Sequence, residues 1–295
     1  MEPKFKHFVI TFFNLQLWTK DKKQRATHTD DWLEKRFNLF EQYCLPSFEV
    51  QTSRNFVWLC LFDAETPVSY KKKIEEYQSR FPLFHPCFFT AEEARTFFLK
   101  EEEKRACFIR SKISSMLDDD DQYVITTNID NDDAIHCSMV EAIQHYFLEH
   151  PVKERTLYSL NWGLQYFVRQ KMVLKMKYPH NHFLTLIEPT TVNIHTIEFY
   201  EHAGARKCLP TVDIFKRPYW MEIVHENNVN NELRITSRIR YSFFWHACSL
   251  SGFGSSIDFS NVRNIYNNLV VFPLYFIPTA IQKLYRKIIR SMNKR

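Results

Sequence analysis

The sequence predicts an α/β fold: a mostly parallel sheet flanked by helices, followed by a C-terminal amphipathic helical tail. Three observations carry that expectation. Short β-branched and aromatic runs alternate with segments of helical periodicity through the first half of the chain, the pattern of successive strand–helix–strand units. One of those runs, residues 56–62, is continuously apolar, as a strand covered on both faces must be. After Asp258 no acidic residue occurs, and apolar residues recur there at helical spacing.

Phe8-Val9-Ile10-Thr11-Phe12-Phe13 reads as the first strand, and a polar loop from Lys20 to Asp30 follows it. From Trp32 to Cys44, the residues Leu33, Phe37, Phe40 and Cys44 fall on one helical stripe. Pro46 is expected to stop that helix, because proline lacks an amide hydrogen and crowds the preceding turn. Asp63 sits at the carboxyl end of the apolar second strand. Lys71 to Arg80 reads as a helix, Leu83 to Phe89 as a strand, and Ala91 to Leu117 as mostly helix. Tyr123-Val124-Ile125-Thr126-Thr127 is the next strand, and Ser138 to Glu149 the next helix. Beyond Thr156 the pattern changes. Leu157 to Phe167, Met172 to Met176 and Phe183 to Ile187 read as antiparallel strands, with Pro179 and Asn181 as punctuation. The expected organisation is one domain over 1–260, with halves at 1–135 and 136–260, and a tail over 261–295.

Composition removes several function classes. Four glycines leave no material for a Walker or G-x-G-x-x-G phosphate loop. Seven cysteines, odd in number and without a C-x-x-C pair, do not form a zinc cluster or a secreted disulfide framework. They fit a reducing, cytoplasmic setting. The N-terminus lacks the layout of a signal peptide, and no apolar stretch reaches the length of a spanning helix.

The strand Tyr123 to Thr127 runs straight into Asn128-Ile129-Asp130-Asn131-Asp132-Asp133. Ligands of open α/β sheets bind outside the carboxyl ends of strands, so these carboxylates stand where a ligand is expected. Aspartates one residue apart can share a hard divalent cation with phosphate oxygens. Spacing alone leaves a second reading open, a solvated turn with Asp133 at a helix N-terminus. The run Asp118-Asp119-Asp120-Asp121 lies between a helix and a strand and reads as a solvated loop.

The segment Thr126-Thr127-Asn128-Ile129-Asp130-Asn131-Asp132-Asp133-Ala134-Ile135 resembles the core motif of the rhamnosyltransferase family, with Asn128 standing where that family carries Arg. Other stretches agree in order along roughly residues 5 to 235: Phe13-Asn14-Leu15, Tyr43-Cys44-Leu45-Pro46-Ser47-Phe48, Asn55-Phe56-Val57-Trp58-Leu59, Pro218-Tyr219-Trp220 and Val224-His225-Glu226-Asn227-Asn228. The resemblance implies a GT-A-like, Rossmann-type fold and a nucleotide-sugar donor. It also implies a glycan or lipid-linked acceptor, in polysaccharide or glycolipid assembly. Carried over by position, Asp130 and Asp132 look like metal and ribose ligands and Asp133 like a further metal or sugar contact. His225 resembles the late histidine that returns to the metal or diphosphate in such enzymes. Imidazole and carboxylates together suit Mn2+ better than a purely oxygen site would, so the expected cofactor is Mn2+ or Mg2+.

Within that implied reaction, Asn14 and Asp63 are donor-site candidates, each equally able to serve as a turn or cap residue. Arg110 and Lys112 could meet the diphosphate or lie on a solvated helix face. A carboxylate must take the acceptor proton if the reaction inverts. Glu188, Asp213, Glu222 and Glu226 are available, and Asp213, flanked by Val212 and Ile214, is chosen among them. Trp162, Tyr166, Tyr219 and Trp220 could stack on sugars or belong to the core. The competing functions are a metal-dependent phosphohydrolase or nucleotidyltransferase using the same carboxylates, and a non-catalytic membrane-docked module.

The net charge of +5 is uneven: without the tail residues Arg263, Lys283, Arg286, Lys287, Arg290, Lys294 and Arg295 it is −2. Ile281, Leu284, Tyr285, Ile288, Ile289 and Met292 recur at helical spacing among those basic residues. This pattern predicts a helix on an anionic membrane surface, against a helix packed on the body with a solvated basic face. An apolar face has no use in nucleic-acid binding. The expected location is therefore cytoplasmic, peripheral to the inner face of the membrane.

Overall fold

The computed structural model describes residues 2–17, 29–99, 101, 104–200, 202–214, 216–225, 240–243, 247–255, 257, 260–274, 277–278, 281–282 and 284–285. The strands are β1 (Phe5–Phe12), β2 (Val57–Asp63), β3 (Phe84–Phe89), β4 (Tyr123–Asn128), β5 (Ala134–Ile135), β6 (Thr156–Leu160), β7 (Trp162–Phe167), β8 (Met172–Lys177), β9 (Leu184–Pro189), β10 (Thr211–Ile214), β11 (Trp220–Val224) and β12 (Arg240–Phe243). The helices are α1 (Asp30–Leu39), α2 (Leu45–Glu49), α3 (Val68–Arg80), α4 (Ala91–Arg95), α5 (Cys107–Ser114), α6 (Met139–Glu149), α7 (His202–Cys208) and α8 (Asn261–Tyr266).

Seven strands form the main sheet in the order β10-β6-β9-β4-β1-β2-β3. β3, β2, β1 and β4 are successively parallel, as are β6 and β10. β9 runs antiparallel to both of its neighbours, β4 and β6. This is the expected mostly parallel α/β architecture, with one reversed strand in its middle. That reversal matters for the site: the chain entering β9 arrives where β4 ends. A second sheet, β12-β8-β7-β11-β5, begins with the two residues directly after the acidic turn.

Helices cover both faces of the main sheet, and two apolar clusters form there. Aromatic rings do most of the filling. Trp58 stacks on Phe48 with centroids 3.6 Å apart and meets Phe84 edge-on at 5.1 Å. Each fully buried ring of this kind contributes about 2 to 3 kcal/mol. In the small sheet, Gly163 lies under the Trp220 indole, where an added Cβ would fall 2.2 Å from the ring. Phe183 stacks on the same indole at 4.7 Å.

Two sequence expectations are corrected. Pro46 does not stop the first helix. α1 widens into a π-helical turn, Phe40–Cys44, and continues as α2, with Pro46 in the first turn of α2. The π-helical turn shifts the bonding to i−5, with Leu45 N–H on Phe40 O, and the wider turn accommodates the proline ring within the continuous helix. The stretch from Ala91 to Leu117 is broken rather than mostly helical. α4 is followed by a 3-10 turn, Thr96–Phe98, and α5 starts only after Ala106, whose φ of 52° is left-handed. The Asp118–Asp121 run is a loop ion-paired to Lys4 and Lys6, as expected.

The polar loop before Asp30 lies largely outside the described residues, as do Glu226, Asn227, Asn228 and residues 286–295. In the tail, α8 is capped by the Ser260 hydroxyl and passes through a π-helical turn, Asn267–Val271. Ile281, Leu284 and Tyr285 are exposed. Among the described residues, no helix is long and apolar enough to cross a membrane.

Candidate active site

The acidic turn is fixed to the sheet by backbone and amide contacts. Ile129 N–H bonds Ile10 O, which extends the β4–β1 pairing by one residue. Asn131 Nδ2 donates to Phe12 O at 2.9 Å and Phe13 O at 2.8 Å, so the turn is pinned to the end of β1. The three carboxylates then diverge. Asp130 points outward, its side chain 50% exposed. Asp132 and Asp133 are buried.

Asp132 faces α1. Its Oδ2 accepts from Arg36 Nη1 at 2.8 Å and lies 2.9 Å from His225 Nε2. Arg36 also donates to Asn131 Oδ1 at 3.0 Å. Burial alone would raise the Asp132 pKa; the Arg36 charge and the His225 contact override it and hold the carboxyl well below the usual range.

Asp133 turns the other way. Its Oδ1 accepts the Ile223 amide of β11 at 2.8 Å, and its Oδ2 lies 3.0 Å from His182 Nε2. The same His182 nitrogen is 3.6 Å from Asp130 Oδ2. Asp130, Asp133 and His182 thus present three ligand atoms within 4.8 Å of one another. His182 arrives here because β9 is reversed. It immediately precedes the segment entering β9, and Asn128 Nδ2 at the end of β4 donates to His182 O at 3.2 Å. Burial opposes charge on the His182 ring, but Asp130 and Asp133 raise its pKa to about 9. Burial, with the charges of Asp132 and Asp130, also pushes the Asp133 carboxyl up. The His182–Asp133 pair therefore holds a proton at neutral pH.

The other sequence candidates are distributed around the sheet. Asn14 and Asp63 come together: Asn14 Oδ1 accepts the Asp63 amide at 3.1 Å and Asn14 Nδ2 donates to Thr66 Oγ1 at 3.0 Å. Asp63 Oδ1 caps the Glu65 amide at 2.7 Å. Both residues are buried at the carboxyl ends of β1 and β2. Arg110 reaches Asn193 Oδ1 at 3.3 Å, and Lys112 is exposed on α5. Asp213, on the edge strand β10, is held by Arg206 through both oxygens, at 2.7 and 2.9 Å. Glu188 accepts from Arg155 Nε and the amides of His195 and Thr196. Glu222 accepts from Gln165 Nε2 at 2.7 Å. Tyr166, Tyr219 and Trp220 are buried, and Trp162 lies under the Lys175 ammonium.

Sequence reasoning missed His182, Arg36 and Glu198. Glu198 lies in the short helical turn Ile197–Phe199, fastened to β4 by the Ile197 amide on Thr126 Oγ1 at 2.8 Å. Its side chain is buried and, among the described residues, its Oε1 has no hydrogen-bond partner. Burial, with the Asp130 charge, raises its pKa to about 8. A buried carboxyl held neutral beside a carboxylate cluster is a candidate functional group.

The fold thus gathers two carboxylates and a histidine where β4 ends. Residues 4–237 match the family described as "Putative rhamnosyl transferase". The chain belongs to that family and is a glycosyltransferase. No significant match is found among curated proteins. Among solved structures it is similar to S. aureus TarS 1-349, at 11% identity and a TM-score of 0.39, covering 75% of this chain and 60% of that one. It is also similar to a "putative nucleotide-diphospho-sugar transferase" from Desulfovibrio desulfuricans G20, at 9% identity and a TM-score of 0.32, covering 72% and 81%. The chain therefore spans less than two thirds of the TarS fragment.

Proposed function

We propose that this glycosyltransferase uses a nucleotide-sugar donor with Mn2+ or Mg2+ and transfers the sugar, rhamnose in the first instance, to a glycan or lipid-linked acceptor. The observation that carries the reading is the convergence of Asp130, Asp133 and His182 at the carboxyl end of β4, with Asp130 open to solvent. Two carboxylates and an imidazole form a donor set suited to Mn2+, and these three residues would hold it. The bound cation would offset the negative charge that builds on the leaving diphosphate.

The remaining residues have separable parts in this reading. Arg36, Asp132 and His225 hold the acidic turn in its shape and place His225 beside the donor. Asn14 and Asp63 stand on the donor side of the same sheet end, and Arg110 and Lys112 add positive charge from α5. For the acceptor proton, Glu198 is a stronger candidate than Asp213. Arg206 holds both Asp213 oxygens, whereas one Glu198 oxygen has no hydrogen-bond partner among the described residues and the residue is close enough to feel Asp130. The protein would work in the cytoplasm at the inner face of the membrane; Cys44, Cys60, Cys87, Cys107, Cys137 and Cys208 are all free.

A panel of nucleotide sugars, assayed for thermal stabilisation with and without Mn2+, tests this reading. One nucleotide class should stabilise the protein in a cation-dependent way, and nucleotide release should depend on the sugar. Release of phosphate or pyrophosphate without sugar transfer would favour the phosphohydrolase or nucleotidyltransferase instead. No stabilisation by any donor would overturn the proposal.

A further inference from the structure

The C-terminal helical segment is amphipathic with its polar side inward. Asn264, Asn267 and Asn268 are buried. Asn267 Nδ2 donates to Lys171 O, and Asn268 Nδ2 to Asn264 O and Oδ1 at 2.8 and 2.7 Å. The outward side is largely apolar: Val262, Ile265, Leu269, Leu274, Ile281 and Leu284 are all exposed, Val262 by 81% and Leu274 by 71%, with Arg263 and Gln282 exposed among them. A helix that packed its apolar stripe on the body would show the reverse arrangement. The body anchors this segment through Asn267 and through Val271 and Phe272, which pack on Phe167, Met172 and Leu174. Val224, the residue before His225, joins the same cluster. The exposed stripe is therefore tied to the strand that leads into the site.

We infer that this outward face lies in the interface of an anionic lipid bilayer and begins at Val262, well before the basic repeat at the end of the chain. Charge selects the occupant. Residues 259–295 carry seven basic side chains and no acidic one. A second copy docked through the same face would set two such segments against each other, while phosphate headgroups complement them. Tyr266 and Tyr285 are exposed along the same segment, and tyrosine is enriched at the headgroup level of membranes. The purpose of docking rests on the lipid-linked branch of the function proposed above. The docking itself does not, and is read without donor or turnover.

The test is co-sedimentation of the full chain with phosphatidylcholine vesicles, with and without phosphatidylglycerol, at rising salt. The protein should partition onto the anionic vesicles and be released by salt. Ile265→Asp, Leu269→Asp and Leu274→Asp should each cut partitioning by about tenfold with the melting temperature unchanged, because all three positions are exposed. If any of these fails to fold, Val262→Asp, at the most exposed position of the stripe, gives the decision. Absence of binding to anionic vesicles, equal binding to neutral ones, or full binding by the aspartate variants overturns the inference. So does a dimer that the aspartate substitutions dissociate while vesicles have no effect, since the face then belongs to a second copy.

Discussion

Arg36 and Asp132, 96 positions apart in sequence, meet as a buried ion pair at 2.8 Å, their side chains 10% and 6% exposed. The pair fastens α1 to the acidic turn after β4. In the proposed function it divides the aspartates: Asp132 holds the turn, and Asp130 and Asp133 would hold the cation.

That division gives the first prediction. Asp132→Ala leaves the Arg36 guanidinium buried without its anion, which should cost about 3 to 5 kcal/mol of stability. Asp130→Ala, at a half-exposed position, should melt with the wild type but lose stabilisation by Mn2+. Thermal melts of both variants with and without the cation separate the two effects. Equal melting temperatures in the absence of cation would show that the Arg36 pair is not structural.

The two histidines should differ in the same way. His182 stands with Asp130 and Asp133, whereas His225 stands with Asp132. His182→Ala should weaken Mn2+ binding at least about tenfold, as loss of a ligand does. His225→Ala should leave the affinity for the free cation nearly unchanged while weakening binding of a nucleoside diphosphate. Calorimetric titration with Mn2+ alone and then with nucleotide reads both. A larger loss of cation affinity in His225→Ala would return that histidine to the metal.

Acid should destabilise the fold through His7. The ring is buried, with Gln144 Nε2 donating to its Nδ1 and Thr127 Oγ1 at 2.9 Å from Nε2. Burial lowers its pKa to about 3 from 6.5. Between those values the unfolded chain binds the proton and the folded one does not. The contribution is therefore present above pH 6.5 and is lost progressively as pH falls towards 3. His136 and His195, both lowered to about 4 and chiefly by burial, act in the same direction. Urea denaturation from about pH 7 to about pH 4 should show stability falling, and His7→Gln should flatten that slope by close to one proton. An unchanged slope would show that His7 does not titrate in this range.

Glu198→Gln keeps shape and burial but cannot accept a proton. It should lower kcat by about 100-fold and leave the melting temperature and the donor KM close to wild type. Asp213→Asn should instead lower the melting temperature, by loosening Arg206. If Asp213→Asn abolishes turnover in a folded protein while Glu198→Gln is active, the two roles are reversed.

The strands up to β4 were legible because each is a compact apolar run closed by a polar turn, and Asp130 to Asp133 could be placed at a strand end from that alone. The partners of those aspartates were not. His182 lies 49 positions beyond Asp133, and it reaches the turn because β9 runs against β4, a pairing that no local spacing reports. Arg36 sits on a helix where a charged residue reads as solvent-facing, yet its guanidinium is buried. Pro46 misled for a related reason: the π-helical turn Phe40–Cys44 that precedes it leaves no mark in the local spacing. Glu198 carried no signal, since a single glutamate between Ile197 and Phe199 looks like any turn.

The Ile223 amide, donated to Asp133 Oδ1, gives the site a built-in isotope clock. Its exchange with deuterium requires both that bond and the buried strand around it to open, so the rate at this position responds to how firmly the carboxylate is held. Ligands that tighten the acidic turn should slow it, and ligands that pull Asp133 away should quicken it. The second sheet would thereby register what is bound at the end of the first, and a single amide signal can be followed without turnover or a coupled assay.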